Sequence, residues 1–152
     1  MDSAFRIIDF KEKLPLYEKL GHAENFGDGS QTQFCHPLFE IIYQDLKPHL
    51  DFELEISSAR IIYNLYDLPA MDWHLDAENP DDTNTAYTLL IYFDSMSPEN
   101  GGHLEFKNQV VVPQRGMGVL INNLNQNSTH RATPMKEPRP RKLIKITFKK
   151  IF

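Results

Sequence analysis

From about residue 52 the chain breaks into short runs rich in β-branched and aromatic residues, each closed by a turn. No other feature limits the fold as strongly, because strands this short with tight returns pair with their neighbours in antiparallel fashion. The runs are Arg60 to Tyr66, Tyr87 to Phe93, His103 to Phe106, Val110 to Val112, Gly118 to Asn122 and Lys142 to Phe148. Asn79-Pro80-Asp81-Asp82, Ser97-Pro98-Glu99-Asn100-Gly101-Gly102 and Pro113-Gln114-Arg115-Gly116 separate them. The first 50 residues read differently, as mostly helical. Asp9 is placed to cap a segment from Phe10 to Leu20 that stops at Gly21, and Pro37 to start a helix through Leu46. In that second helix Leu38, Ile41, Ile42 and Leu46 form an apolar stripe. The expected fold is α+β but mainly β: a small barrel or two-sheet roll over 52–152, backed by helices from 1–50.

The chain has 152 residues, of which 41% are hydrophobic and 11% aromatic, enough for one packed domain spanning 1–152. No repeat is visible, no apolar run approaches the ~20 residues of a membrane span, and the start MDSAFRIIDF lacks the pattern of a signal peptide. The expectation is a soluble, cytoplasmic protein, a monomer or weak homodimer, with no membrane partner. Cys35 is the one cysteine and has no partner for an intramolecular disulfide. Asn127-Ser128-Thr129 matches a glycosylation sequon and reads as a surface turn. The net charge is −5, yet Arg139, Arg141, Lys142, Lys145, Lys149 and Lys150 form a basic run without an acidic residue. That run lies inside an expected strand and carries no nucleic-acid motif, so it reads as a solvated face.

The candidate chemistry sits in the β region. On extended chain, residues i and i+2 share a face, so the His74 imidazole and Asp76 carboxylate can converge on one point. His130, on another strand, supplies a third ligand. Two imidazoles and one carboxylate on one side of a metal leave open positions opposite, as in non-haem Fe(II) oxygenases. The spacing carries little by itself in a chain with this many aspartates, and its neighbours give it weight. Asn64 and Tyr66 share a side of their strand with Arg60 and Ile62 and can line a pocket. Arg141 opens a strand on which Leu143, Lys145 and Thr147 share its face, and its guanidinium can hold a carboxylate through a bidentate fork. Thr88, Leu90 and Tyr92 alternate along another strand and offer a hydroxyl and a phenol to the same carboxylate. Lys145 faces inward and needs a carboxylate, a cosubstrate or solvent to offset its burial.

The ordered stretches WHLD, TLLIYFD, ENGGHLEF, VVPQRGMGVL, THRATP and RPRKLIKITF resemble the 2-oxoglutarate- and Fe(II)-dependent dioxygenases, in particular their prolyl 4-hydroxylase-like branch. The resemblance covers residues 60 to 148. It implies a double-stranded β-helix, or jelly roll, with metal ligands His74, Asp76 and His130 and with Arg141 on the far carboxylate of 2-oxoglutarate. It also implies contacts to that cosubstrate from Tyr92 and from Tyr66 or Tyr63. Asn64-Leu65-Tyr66 is similar to the Asn-x-Tyr of the AlkB-type nucleic-acid demethylases, whose closing pair of arginines this chain lacks. Leu143 stands where relatives carry a small hydroxyl residue. Arg139 has the spacing from His130 commoner in the family, but Pro140 beside it disfavours a regular strand position, which points to Arg141.

The implied cofactors are Fe(II), 2-oxoglutarate and dioxygen, with ascorbate as a support for activity. The implied reaction is hydroxylation of a C–H bond with release of succinate and CO2. The loop Ala77 to Ala86, with Glu78, Asp81 and Asp82, and the segment Gly21 to Cys35 are expected to shape the substrate site. Their acidic rim argues against nucleic acid and for a neutral or basic substrate: a peptide, most simply at a prolyl residue, or an amino acid or other small molecule. The alternative on the same fold is a cupin-like metal-binding protein or isomerase without redox turnover.

Overall fold

The computed structural model describes residues 3–21, 37–64, 73–76, 83–136 and 141–151, without the side chains of Tyr63, Asn64, Thr83 and Arg141. Among these residues the strands are β1 (Phe5–Asp9), β2 (Leu54–Asn64), β3 (Tyr87–Tyr92), β4 (Leu104–Phe106), β5 (Val110–Val111), β6 (Met117–Asn122), β7 (His130–Ala132) and β8 (Arg141–Lys150). The helices are α1 (Leu14–Leu20) and α2 (Pro37–Leu46). Two sheets form: a five-stranded one in the order β1-β6-β3-β8-β2 and a three-stranded one in the order β5-β4-β7. Every strand pair is antiparallel.

The strand β8 explains why the layers stack as they do. Ile144, Ile146 and Phe148 are fully buried on one face, packed with Leu38, Ile42 and Leu46 of α2 and Tyr17 of α1. Leu143, on the opposite face, belongs to a second core between the sheets with Leu90, Tyr92, Leu104, Phe106, Val119 and Ile121. The apolar residues of β8 serve both cores, and the alternation sorts which core each one joins. The face of β8 turned toward the small sheet also carries Lys145 and Thr147, the polar residues that reach the candidate site.

The N-terminal segment differs from expectation. Phe5–Asp9 is a strand and not the approach to a helix, paired with β6 from Phe5↔Ile121 to Asp9↔Met117. It covers an edge of β6 that would leave unpaired backbone groups exposed. The following helix begins at Leu14, not Phe10, and Asp9 does not cap it; Asp9 instead accepts from the Lys11 amide at 2.8 Å. Pro15 in the first helical turn is the local start signal. The β region therefore recruits residues before 52, and the 1–50 segment is not only helical support. Gly116, at φ 86°, makes the turn into β6 where its amide bonds the Tyr92 carbonyl at 2.8 Å, and an added Cβ would stand 2.6 Å from the Lys11 Cα.

The remaining boundaries move by a few residues. The second strand starts at Leu54 and not Arg60, β8 runs to Lys150, and His103 stands just before β4. Tyr66 and Arg139 lie outside the described residues. Among the described residues, no helix is long and apolar enough to cross a membrane.

If β8 is the common wall of both cores, Ile146→Ala should lower unfolding stability by about 2–5 kcal/mol in urea denaturation. A loss well under 1 kcal/mol would place this side chain outside the packed core.

Candidate metal centre

His74 and His130 come together through their backbones. The His74 amide donates to the His130 carbonyl at 2.9 Å, and the His130 amide donates to the His74 carbonyl at 3.0 Å. This is an isolated bridge and not a strand, so His74-Leu75-Asp76 does not form the regular β segment its spacing suggests. His130 opens β7, whose Phe106↔His130 pairing with β4 anchors it to the small sheet. The reciprocal bonds set the two imidazoles side by side, with ring centroids 4.5 Å apart.

Asp76 then closes the triangle. Its Oδ1 lies 3.4 Å from His74 Nε2 and 3.9 Å from His130 Nε2. One ligand atom from each of the three residues falls within 4.8 Å of the others. An ion about 2.1 Å from each ligand sets adjacent ligands roughly 3 Å apart, so Asp76 Oδ1 and the two imidazole nitrogens, 3.4 and 3.9 Å from it, would draw closer around an ion. Asp76 Oδ2 is buried with no hydrogen-bond partner among the described residues, which a cation beside the carboxylate would offset. His130 Nδ1 donates to the Ser128 carbonyl at 2.8 Å, since a carbonyl can only accept, and this leaves Nε2 with its lone pair facing the centre. The donor set therefore fits a divalent transition metal with open positions opposite the three ligands.

The electrostatics favour the ligating forms. Burial alone would push the Asp76 carboxyl up, but the Lys145 ammonium, with His130, the Thr88 hydroxyl and His74 adding to it, holds it below the usual carboxylate range. Burial keeps His130 below the ordinary imidazole value against the opposing pull of Ser128 and Asp76. The result is an ionised carboxylate facing a neutral imidazole.

Lys145 finds the carboxylate its inward position requires: its Nζ lies 3.6 Å from Asp76 Oδ1. Thr88 is fully buried beside Asp76, and its hydroxyl accepts a hydrogen bond from Asn123 Nδ2 at 2.8 Å. Tyr92 is buried in the core between the sheets, on the same face of β3 and opposite Leu143 of β8. Arg141 opens β8 directly across from Asn64 at the end of β2, so the backbone brings these two positions to one end of the roll. The supporting groups Ser128 and Asn123 carry no signal in the sequence. One acts through its backbone carbonyl, and the other lies 35 residues from its partner Thr88.

The basic run divides among several partners. Lys142 Nζ reaches the Gly21 carbonyl at 3.3 Å and lies 4.8 Å from the Phe93 ring centre, whereas Lys145 turns to the metal centre. Trp73, 38% exposed, stacks under the Arg131 guanidinium at 4.7 Å, and Arg131 pairs with Glu105. His103 fixes a turn by bonding the Ser97 carbonyl through Nε2 at 2.9 Å.

Comparison with known proteins gives the family and the fold. Residues 41–149 match the family model of the 2OG-Fe(II) oxygenase superfamily. A search of curated proteins found no match. Among solved structures, the viral collagen prolyl hydroxylase of Paramecium bursaria Chlorella virus-1, in complex with 2-oxoglutarate, superposes with a TM-score of 0.72 at 12% identity, covering 98% of this chain and 97% of the viral one. HygX from Streptomyces hygroscopicus, with nickel and 2-oxoglutarate bound, gives 0.67 at 13% identity over 99% and 84% of the two chains. A Trichoplax adhaerens prolyl hydroxylase in complex with a hypoxia inducible factor peptide fragment gives 0.64 at 17% identity over 96% and 83%. These likenesses identify the two-sheet arrangement as the jelly roll of the 2-oxoglutarate oxygenases. With a family match over most of its length, and with three side chains placed where they could hold a metal ion, the chain belongs to the 2OG-Fe(II) oxygenase superfamily and is a 2-oxoglutarate-dependent dioxygenase.

Proposed function

We propose that this protein hydroxylates a C–H bond of a peptide, most simply at a prolyl residue, or of an amino acid, with 2-oxoglutarate consumed to succinate and CO2. The observation that carries the reading is the convergence of His74, Asp76 and His130 within 4.8 Å on a jelly-roll frame of this family. The peptide reading is supported by the prolyl hydroxylases among the fold neighbours.

Each residue has a definite task. His74, Asp76 and His130 would hold a divalent ion through two imidazole nitrogens and one carboxylate oxygen. Fe(II), when bound, supplies the redox chemistry that couples cleavage of 2-oxoglutarate to substrate oxidation. Arg141, at the start of β8, is the residue for the far carboxylate of 2-oxoglutarate, a role that the family resemblance implies and that the bidentate fork of a guanidinium suits. Tyr92, on the adjacent strand β3, is the phenol for the same carboxylate, and Asn64, across from Arg141, borders that end. Tyr66 is retained from the family resemblance. Thr88 sits beside Asp76, which suits it to orienting that carboxylate as well as to contacting cosubstrate. The apolar walls from Leu104, Phe106, Val119 and Leu143 keep water from the interior.

Incubation with Fe(II), ascorbate and 2-oxoglutarate should release succinate slowly even without the true substrate, and Asp76→Ala should abolish the release. Absence of both succinate and calorimetric 2-oxoglutarate binding in the wild-type protein would overturn the proposal. A separate measurement addresses the ligand set: His130→Ala should weaken Mn(II) binding by about 100-fold or more in calorimetry, with the fold retained in circular dichroism. Arg141→Ala should instead leave Mn(II) binding intact and weaken 2-oxoglutarate. Equal Mn(II) affinity in wild type and His130→Ala would remove His130 from the centre.

A further inference from the structure

A cavity of about 290 Å³ opens beside the metal centre, lined by Ser58 and Arg60 of β2, Asp76, Thr85, and Lys145 and Thr147 of β8. We propose that this cavity is the substrate's subsite and that it recognises a carboxylate on the substrate, either an acidic side chain of a peptide or the α-carboxylate of an amino acid. This deepens the dioxygenase reading and rests on it.

Charge is the first argument. Arg60 and Lys145 are direct partners in the β2–β8 register, so two cations stand opposite each other across an antiparallel pair. Like charges in that position are unfavourable without an anion between them. Asp76 is the only carboxylate among the described residues lining the cavity, and its Oδ1 also faces both imidazoles. Once a divalent ion takes that carboxylate, no other carboxylate among the described lining residues balances the Lys145 ammonium and the exposed Arg60 guanidinium, which stand with a set of hydroxyls. Guanidinium, ammonium and hydroxyl groups converging from two strands donate hydrogen bonds and match a carboxylate's acceptors. Among the described residues lining it, only Ala59 is apolar, so the wall offers little to an uncharged hydrocarbon group.

Position is the second argument. Lys145 lies four residues after Arg141 on β8, roughly 13 Å along an extended strand, with Leu143 packed in the core between them. The two basic positions thus belong to separate subsites, and Asp76 borders the cavity directly. A carboxylate held by Arg60 and Lys145 places the rest of the substrate against the open side of the centre. The volume suits a single side chain or one amino acid.

The test uses full-length protein loaded with Ni(II) and saturating 2-oxoglutarate, which prevents turnover, and reads binding by calorimetry. Acetyl-Ala-Glu-Ala-amide is compared with its glutamine counterpart, and L-proline with L-prolinamide, to separate side-chain from α-carboxylate recognition. At least one acid should bind about tenfold or more tightly than its amide. The preference should fall to near unity in Arg60→Gln and return in Arg60→Lys, with 2-oxoglutarate affinity unchanged in both. Equal binding of both acids and their amides, or a preference that survives Arg60→Gln, would overturn the inference and leave the dioxygenase reading standing. If Arg60→Gln weakens 2-oxoglutarate as well, the cavity belongs to the cosubstrate and the inference is equally overturned. Failure of the wild-type protein to bind 2-oxoglutarate at all defeats the dioxygenase reading itself.

Discussion

Two backbone hydrogen bonds between His74 and His130 are the constraint on which the centre depends. They join a segment outside the regular strands to the first residue of β7, and β7 is held in turn by β4. Because both bonds are made by main-chain groups, the two imidazoles are neighbours before any ion arrives. Each such bond contributes only about 0.5–1.5 kcal/mol net, so their value lies in geometry more than in stability. Asp76 follows His74 by two residues and is carried to the same point, where Lys145 offsets the upward push of burial on its carboxyl. A site assembled this way loses little conformational freedom when metal binds.

The strand β8 links that local arrangement to the whole fold. Its inner and outer faces answer to different layers: helices and Ile144, Ile146 and Phe148 on one side, the small sheet and Leu143 on the other. The same alternation that separates the two cores also delivers Lys145 to Asp76 and Thr147 to the neighbouring cavity. A change of one residue in the β3–β8 or β2–β8 register would exchange these sets, burying lysine among the helices. Fold stability and site chemistry are therefore coupled through one strand.

Much of this was legible in residue order. Period-two patterning located β3, β6 and β8 to within a few residues, and Pro37 with its apolar stripe located α2. The inward lysine at position 145 was recognisable because alternation placed a charge on a face otherwise committed to the interior. The strand β1 was missed for a physical reason. Phe5–Asp9 has only one buried side chain out of its five residues, and it is a strand because β6 offers backbone partners, which no local propensity records. The helical start was misplaced because Asp9 resembles an N-cap in sequence, whereas the chain is still leaving a strand there and bonds the Lys11 amide instead.

The sequence by itself determined the chemical inventory: which imidazoles and carboxylates exist, which strands alternate, and which blocks occur in the order of a dioxygenase family. Side-chain identity and spacing are local properties, and local rules suffice to read them. Tertiary structure alone decided the company each group keeps. It set Nε2 of His130 toward the centre through the Ser128 carbonyl, paired Thr88 with Asn123 and stood Arg60 opposite Lys145. Those relations are distances between residues far apart in the chain, created when the sheets close around two cores, and residue order holds no record of them until that closure is made.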